Sequence, residues 1–218
     1  MITLSEENYL KTIYHLENQQ GSAVSTNAIA EKIETKASSV TDMVKKLADK
    51  DFINYKKYQG VSLTKKGKNT ALNIIRKHRL WEVFLVDKLN FSWDEVHDVA
   101  EQLEHIKSPK LIDELDAFLE FPTHDPHGDP IPDKDGVISK SDKIKLSKAQ
   151  INTKCKFVGV NDSSSEFLKY LDKHQIALGC EITVIAKESF DDSMTVLVED
   201  KKLSISKTVS NNLFVKTI

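Results

Sequence analysis

The sequence predicts a mainly α-helical chain with a small β part: an N-terminal helix-turn-helix with a β-hairpin wing, a helical middle segment and a small C-terminal β-barrel. Three observations predict it. Apolar residues recur at helical spacing in three short segments between residues 5 and 50, and two alternating runs follow around Tyr58-Gln59-Gly60. Three further helical segments, rich in histidine and acid, run to about residue 119. From Ile151 the apolar period falls to two.

Residues 5 to 18 open with Ser5 as a cap and with Glu6 and Glu7, which complement the helix dipole. Tyr9, Leu10, Ile13, Tyr14 and Leu16 form the apolar stripe, and QQGS breaks it. Ser25 to Ile33 is a short second helix with a Ser/Thr cap. After the turn ETK, a third helix opens at Ala37 or Ser38 and turns Val40, Val44 and Leu47 inward. Two short helices joined this tightly, the second opening on small polar residues, form a helix-turn-helix. DFINYKKYQGVSLTKKG then reads as a hairpin, which makes the module winged.

Asn69 to Leu89 is the next helix. Ser92 caps another from Trp93 to about Ile106, and Ser108-Pro109 starts a third, to about Leu119. These three carry more apolar surface than a small winged module buries, so they are expected to build a dimer interface. FPTHDPHGDPIPDKDG holds four of the five prolines and reads as a loop. CKFVGV, GCEITVIAKES, SMTVLVED and LSISKTVSNNLFVKTI read as strands, with SSEFLKYLDKHQI as a helix after the first. The expected divisions are residues 1–70 (winged helix-turn-helix), 71–121 (helical), 122–150 (linker) and 151–218 (β domain).

The net charge of −2 hides an asymmetry. From Lys36 to Lys68 there are nine lysines against three aspartates; from Ala71 to Glu120 there are six basic and eleven acidic residues. A basic module joined to an acidic one points to nucleic acid for the first and cations for the second. No apolar run approaches the ~20 residues of a membrane helix. No secretion signal is visible at the N-terminus, and Cys155 and Cys180 are few and far apart, so a cytoplasmic protein without membrane contact is expected.

Five of the seven histidines lie between His78 and His127, among carboxylates. His97, Glu101, Glu104 and His105 share one helix face, and His78 and Glu82 are one turn apart on the preceding helix. These oxygen and nitrogen donors suit Mn(II), Fe(II) or Zn(II). Asp125 and His127 in the proline-rich loop are candidates for a second ion. On the third helix Ser38, Ser39 and Thr41 can reach bases or phosphates, and Lys45 and Lys46 suit phosphates. Lys56 and Lys57, with Lys65 and Lys66, look like backbone contacts from the wing. No H-E-x-x-H, nucleophile elbow or glycine-rich phosphate loop is present, which argues against an enzyme.

EENYLKTIYHLE, SSVTDMVKKL, YQGVSLTKKG, IRKHRLWEVFL, EVHDVAEQLEHIKS and FPTHDPHGDPIP, in this order, resemble the metal-dependent repressors that include the diphtheria toxin repressor, the iron-dependent regulators and the manganese transport regulators. The resemblance implies a winged helix, a helical dimerisation domain and a C-terminal SH3-like (FeoA-like) domain. It implies a homodimer that binds a palindromic double-stranded DNA operator and, when metal is plentiful, represses metal-uptake genes. It places one metal site at Asn8, Glu101, Glu104 and His105. A second falls at His78, Glu82 and His97, with Asp162 and Glu166 where closing ligands belong and Asp125 and His127 as further contributors. Iron-sensing members carry cysteine where this chain has Glu101, so Mn(II) is the first expectation and Fe(II) the alternative. Short manganese regulators carry acids at positions 8 and 11, where this chain has Asn8 and Lys11. The alternative function is a metal-independent winged-helix regulator with vestigial ligands.

Overall fold

The computed structural model describes every residue except Met1, Ser22, Lys57, Tyr58, Lys140 and Ser141. The chain forms two compact units. One comprises Met1–Trp81, Glu101–Leu115 and Pro132–Ile138; the other comprises Glu82–Ala100, Asp116–Ile131 and Ser139–Ile218.

In the first unit α1 (Leu4–Gln20), α2 (Thr26–Ile33) and α3 (Ala37–Asp49) precede the hairpin β1 (Ile53–Lys56) and β2 (Gly60–Leu63). Leu10, Ile13, Val24, Ile29, Val40, Val44, Leu47 and Val61 are fully buried and form its core. They are the inward positions that the helical and alternating patterns mark. The antiparallel register of the wing runs from Ile53 opposite Leu63 to Lys56 opposite Gly60. Val24 and Val61 exchange backbone hydrogen bonds of 2.8 Å, which join the wing to the segment before α2.

The start of α1 differs from expectation, and that of α3, at Ala37, agrees with it. Thr3, not Ser5, caps α1, because Thr3 and Glu6 form a reciprocal capping box. The N-cap of α3 is Lys36 without a side-chain bond, so Ser38 and Ser39 stand exposed in the first turn and do not cap it.

Glu6 is fully buried. Burial opposes its charge, yet hydrogen bonds from Lys50 at 2.7 and 3.0 Å, from the Thr3 backbone and from Lys46 bring its pKa down to about 2. This pins α1 to α3.

Helix α4 (Lys65–Leu89) begins four residues before the expected start, and Thr64 Oγ1 accepts from Gly67 N at 3.0 Å. Helix α5 spans only Val96–Leu103, and α6 spans Pro109–Phe118. The late start of α5 has a cause in packing. Trp93 lies against the core of the second unit and donates its indole N–H to Asp172 at 3.1 Å, which leaves residues 93 to 95 as a turn.

The second unit holds a six-stranded antiparallel sheet. Its strands are β3 (Ile144–Lys145), β4 (Lys154–Val160), β5 (Glu181–Lys187), β6 (Met194–Val198), β7 (Lys201–Ile205) and β8 (Leu213–Thr217), in the spatial order β3-β8-β4-β5-β6-β7. Helix α7 (Ser165–Lys173) follows β4. Phe157, Leu168, Leu171, Ile182, Val184, Leu213 and Val215 are fully buried there. The last apolar run is not one strand: α8 (Lys207–Asn212) interrupts it, capped by Ser206 and burying Val209 and Ser210. Among the described residues no helix is long and apolar enough to cross a membrane.

The Glu6 cluster predicts a pH-dependent tie. Its pKa falls from 4.5 to about 2 on folding, so its stabilisation is complete above pH 4.5 and is lost as pH drops towards 2. Glu6→Gln is expected to cost roughly 2 kcal/mol at neutral pH. In urea unfolding, the gap between variant and parent should close below pH 4.5; a gap constant with pH would contradict the assignment.

Candidate metal centre and nucleic-acid interface

Helix α1 presents Glu7, Asn8 and Lys11 on one side, and residues 101 to 105 present Glu101, Glu104 and His105 to them. Glu104 has no exposure to solvent. Its oxygens accept from Lys11 Nζ at 2.7 and 2.9 Å, and Oε2 lies 2.6 Å from His78 Nδ1. Burial alone would raise its pKa, but His78 and Lys11 outweigh burial and lower it. Lys11 Nζ also lies 3.0 Å from Glu101 Oε1. His105 Nδ1 is 2.6 Å from Glu7 Oε2, which leaves Nε2 facing Glu104 Oε1 at 3.8 Å.

Glu101, Glu104 and His105 are donors of the kind a divalent ion takes, but with Lys11 on the two carboxylates they do not form a compact three-residue donor group among the described residues. Asn8 Oδ1 is buried and, among the described residues, has no hydrogen-bond partner. A buried amide oxygen without a partner is costly. Asn8 is on the helix that carries Glu7 and Lys11, and the His105 imidazole has one nitrogen fixed by the Glu7 carboxylate, the usual support of a metal-binding histidine. Sequence reasoning did not identify Glu7 or Lys11 as part of the site. Glu7, one residue before Asn8 and one turn before Lys11, could have been found from helical spacing alone.

A second cluster lies within the other unit. Glu82, Asp125 and His127 are all buried, and their donor atoms lie within 4.8 Å of one another. His127 Nε2 donates to the Trp93 carbonyl at 2.7 Å, so Nδ1 faces Glu82 Oε2 at 3.7 Å. Trp93 stacks on the imidazole, with ring centroids 6.3 Å apart. Burial pulls the His127 pKa down, but Glu82, Asp125 and the Trp93 carbonyl raise it to about 9. Asp125 Oδ1 accepts from the backbone of His127 and Asp129, both at 2.9 Å, and so shapes the loop. His97 Nδ1 is 3.5 Å from Glu82 Oε1.

His78 lies one turn before Glu82 on α4, as the spacing predicts, and its Nδ1 is 2.6 Å from Glu104 Oε2. Asp162 and Glu166 stand apart from the clusters. Asp162 Oδ1 accepts from Ser164 N at 2.9 Å at the start of α7, and Glu166 is exposed on that helix. Neither belongs to a three-residue donor group among the described residues. His124 is exposed and bonded to Thr123.

On α3 the exposed face carries Ser38, Ser39 and Lys45, the last 3.9 Å from Asp42. Thr41 is half-buried and its hydroxyl donates to Ala37 O at 2.9 Å. Lys46 is exposed and lies 3.0 Å from Glu6 Oε1. Lys56 is exposed on the wing, Lys57 lies outside the described residues, and Lys66 donates to Lys50 O.

Residues 1–61 match the model of the iron dependent repressor N-terminal DNA binding domain. Residues 64–133 match that of the iron dependent repressor metal binding and dimerisation domain, and residues 144–217 match the FeoA domain. The iron-dependent repressor IdeR of Mycobacterium leprae is 36% identical over 126 residues, which is 58% of this chain and 54% of that protein. The chain thus spans about half the length of that relative. The transcriptional regulator MntR of Oceanobacillus iheyensis is 36% identical over 121 residues, 56% of this chain and 81% of that protein. Among solved structures, a manganese-dependent transcriptional repressor in complex with manganese superposes with a TM-score of 0.85 at 31% identity, covering 98% of this chain and 100% of that one.

Two predictions follow from the second cluster. The His127 pKa rises from 6.5 to about 9 on folding, so its stabilisation is complete below pH 6.5 and is lost as pH rises through 9. Thermal unfolding in chelator should show this loss in the parent and not in His127→Gln. Gly128 adopts φ +82°, and a Cβ there would lie 2.0 Å from Val158 O. Gly128→Ala is therefore expected to destabilise the chain by roughly 2 kcal/mol or more; an unchanged urea midpoint would show that the loop backbone can yield.

Proposed function

Because this chain belongs to the iron-dependent repressor family, whose members are DNA-binding transcriptional regulators and not enzymes, we propose that it represses metal-uptake genes in response to Mn(II), with Fe(II) as the alternative signal. One observation carries this reading. Helix α1 carries Asn8, whose buried Oδ1 has no hydrogen-bond partner among the described residues, and, two residues earlier, Glu6 against Lys46 of the DNA-reading helix and Lys50 at its C-cap. The helix that meets the metal also positions the reader.

A divalent ion, when bound, supplies a multivalent cationic cross-link to Asn8, Glu101, Glu104 and His105. Glu7 holds the His105 ring in place, and His78 holds Glu104. The position of α1 passes through Glu6 to α3, whose Ser38, Ser39 and Lys45 face outwards. In a homodimer two such helices fit half-sites one duplex turn apart on a palindromic operator. Metal and operator then raise each other's affinity by the same factor. Glu82, Asp125 and His127 form a second ion site. The donors are oxygen and nitrogen only, and the Cys155 side chain lies in the β core, so hard ions are favoured; Zn(II) also suits the set. The setting is the cytoplasm.

The second reading is a metal-independent winged-helix regulator, and the Lys11 ammonium favours it by already balancing Glu101 and Glu104. Fluorescence anisotropy of DNA from the protein's own promoter, in EDTA, Mn(II) or anaerobic Fe(II) at one fixed salt concentration, separates the two. Metal-gated repression predicts binding at least ten-fold tighter with the ion, and loss of that gain in Glu101→Ala. Equal affinity in EDTA, unaltered by Glu101→Ala, would establish the second reading.

A further inference from the structure

Resting on the metal-sensing reading, we propose that Lys11 is an intramolecular competitor for the metal: its ammonium closes the donor set when no ion is bound, and an ion enters only by displacing it. The lysine would therefore set the metal concentration at which the protein responds.

Three contacts carry the inference. Lys11 Nζ lies 3.0 Å from Glu101 Oε1, 2.7 Å from Glu104 Oε1 and 2.9 Å from Glu104 Oε2. A lysine ammonium has three N–H donors, so its whole capacity is spent on these two carboxylates. Its side chain is only 13% exposed, and Glu104 is wholly buried. A buried carboxylate without a counter-charge is strongly unfavourable, so the lysine has a definite task in the metal-free protein.

The same oxygens are the carboxylate donors of the proposed ion site, with His105 Nε2 3.8 Å from Glu104 Oε1. A divalent ion and an ammonium cannot both occupy them, because charges of like sign within a few ångströms in a poorly solvated site repel by several kcal/mol. The exchange balances: the carboxylates give up one cation and take another, and the ammonium passes to water on its flexible four-carbon stem. The affinity observed for metal is then the intrinsic affinity reduced by the strength of the lysine's hold. The arrangement also joins α1 to residues 101 to 104 before any ion arrives, so the metal-free protein is already bridged at this point.

The test compares parent, Lys11→Met and Lys11→Arg. Methionine keeps much of the side-chain volume and removes the charge; arginine keeps the charge. Mn(II) affinity, read from the electron paramagnetic resonance signal of the free ion, is expected to tighten about ten-fold or more in Lys11→Met and not in Lys11→Arg. Without metal, Lys11→Met should have a lower Tm than the parent, and Mn(II) should raise its Tm by the larger increment. In the parent itself, acylation of Lys11 by acetic anhydride, mapped by mass spectrometry, should be slow in chelator and faster with Mn(II). That measurement decides the matter if Lys11→Met fails to fold. Unchanged Mn(II) affinity in a folded Lys11→Met, or Lys11 acylation indifferent to Mn(II) in a parent that binds it, overturns the competitor role and leaves metal sensing intact. Absence of Mn(II) and Fe(II) binding in both parent and variant overturns the metal-sensing reading and the competitor role with it.

Discussion

Glu104 is a carboxylate closed off from water, and the first unit is organised around meeting its charge. Lys11 comes from α1 and His78 from α4, while Glu101 and His105 flank it within its own segment. A buried charge of this kind tolerates few arrangements, because losing any partner leaves it uncompensated in a poorly polarisable setting. The three segments are therefore held to one another by an electrostatic requirement as well as by packing. That requirement makes the position of α1 sensitive to which cation the site contains.

Helix α1 turns this sensitivity into a structural effect. On one side Glu7 grips His105, and Asn8 keeps a buried amide oxygen without a hydrogen-bond partner among the described residues; two residues before Asn8, Glu6 is sealed against Lys46 of α3 and Lys50 at its C-cap. Near its other end Glu17 accepts from Leu63 N of the wing at 2.9 Å. One helix thus touches Glu101 and Glu104 through Lys11, the reading helix through Glu6 and the hairpin through Glu17. The proposed coupling needs no long chain of intermediates, since one element would serve both sites.

The second cluster is built by a different device. Asp125 folds a short loop by accepting from two backbone amides, and Gly128 lets that loop approach β4 more closely than a side chain would allow. His127 is then oriented at both nitrogens, by the Trp93 carbonyl and by Glu82. Here preorganisation comes from backbone hydrogen bonding, whereas in the first site it comes from paired charges.

Much of this was determined by the sequence alone. Local periodicity marked all the major helices, the wing and most strands of the β domain, because an amphipathic face is written in the spacing of its residues. The donors Glu101, Glu104 and His105 stand at i, i+3 and i+4 in the sequence, but α5 ends at Leu103, so Glu104 and His105 lie in the turn after it and the fold, not helical spacing, sets where they point. The resemblance to the repressor family supplied Asn8 from a distant helix. Tertiary structure decided what spacing does not encode. Thr3 rather than Ser5 capped α1 because Glu6 could reach back to it, and α5 began late because Trp93 was taken by the β domain. Helix α8 broke a run that read as a strand, since burying Val209 beside a Ser206 cap outweighed alternation. Lys46 and Lys11 read as a surface charge and a departure from the pattern, yet the fold turned both towards carboxylates. The partner of a charge is fixed by which helices pack together, and that is a property of the whole chain.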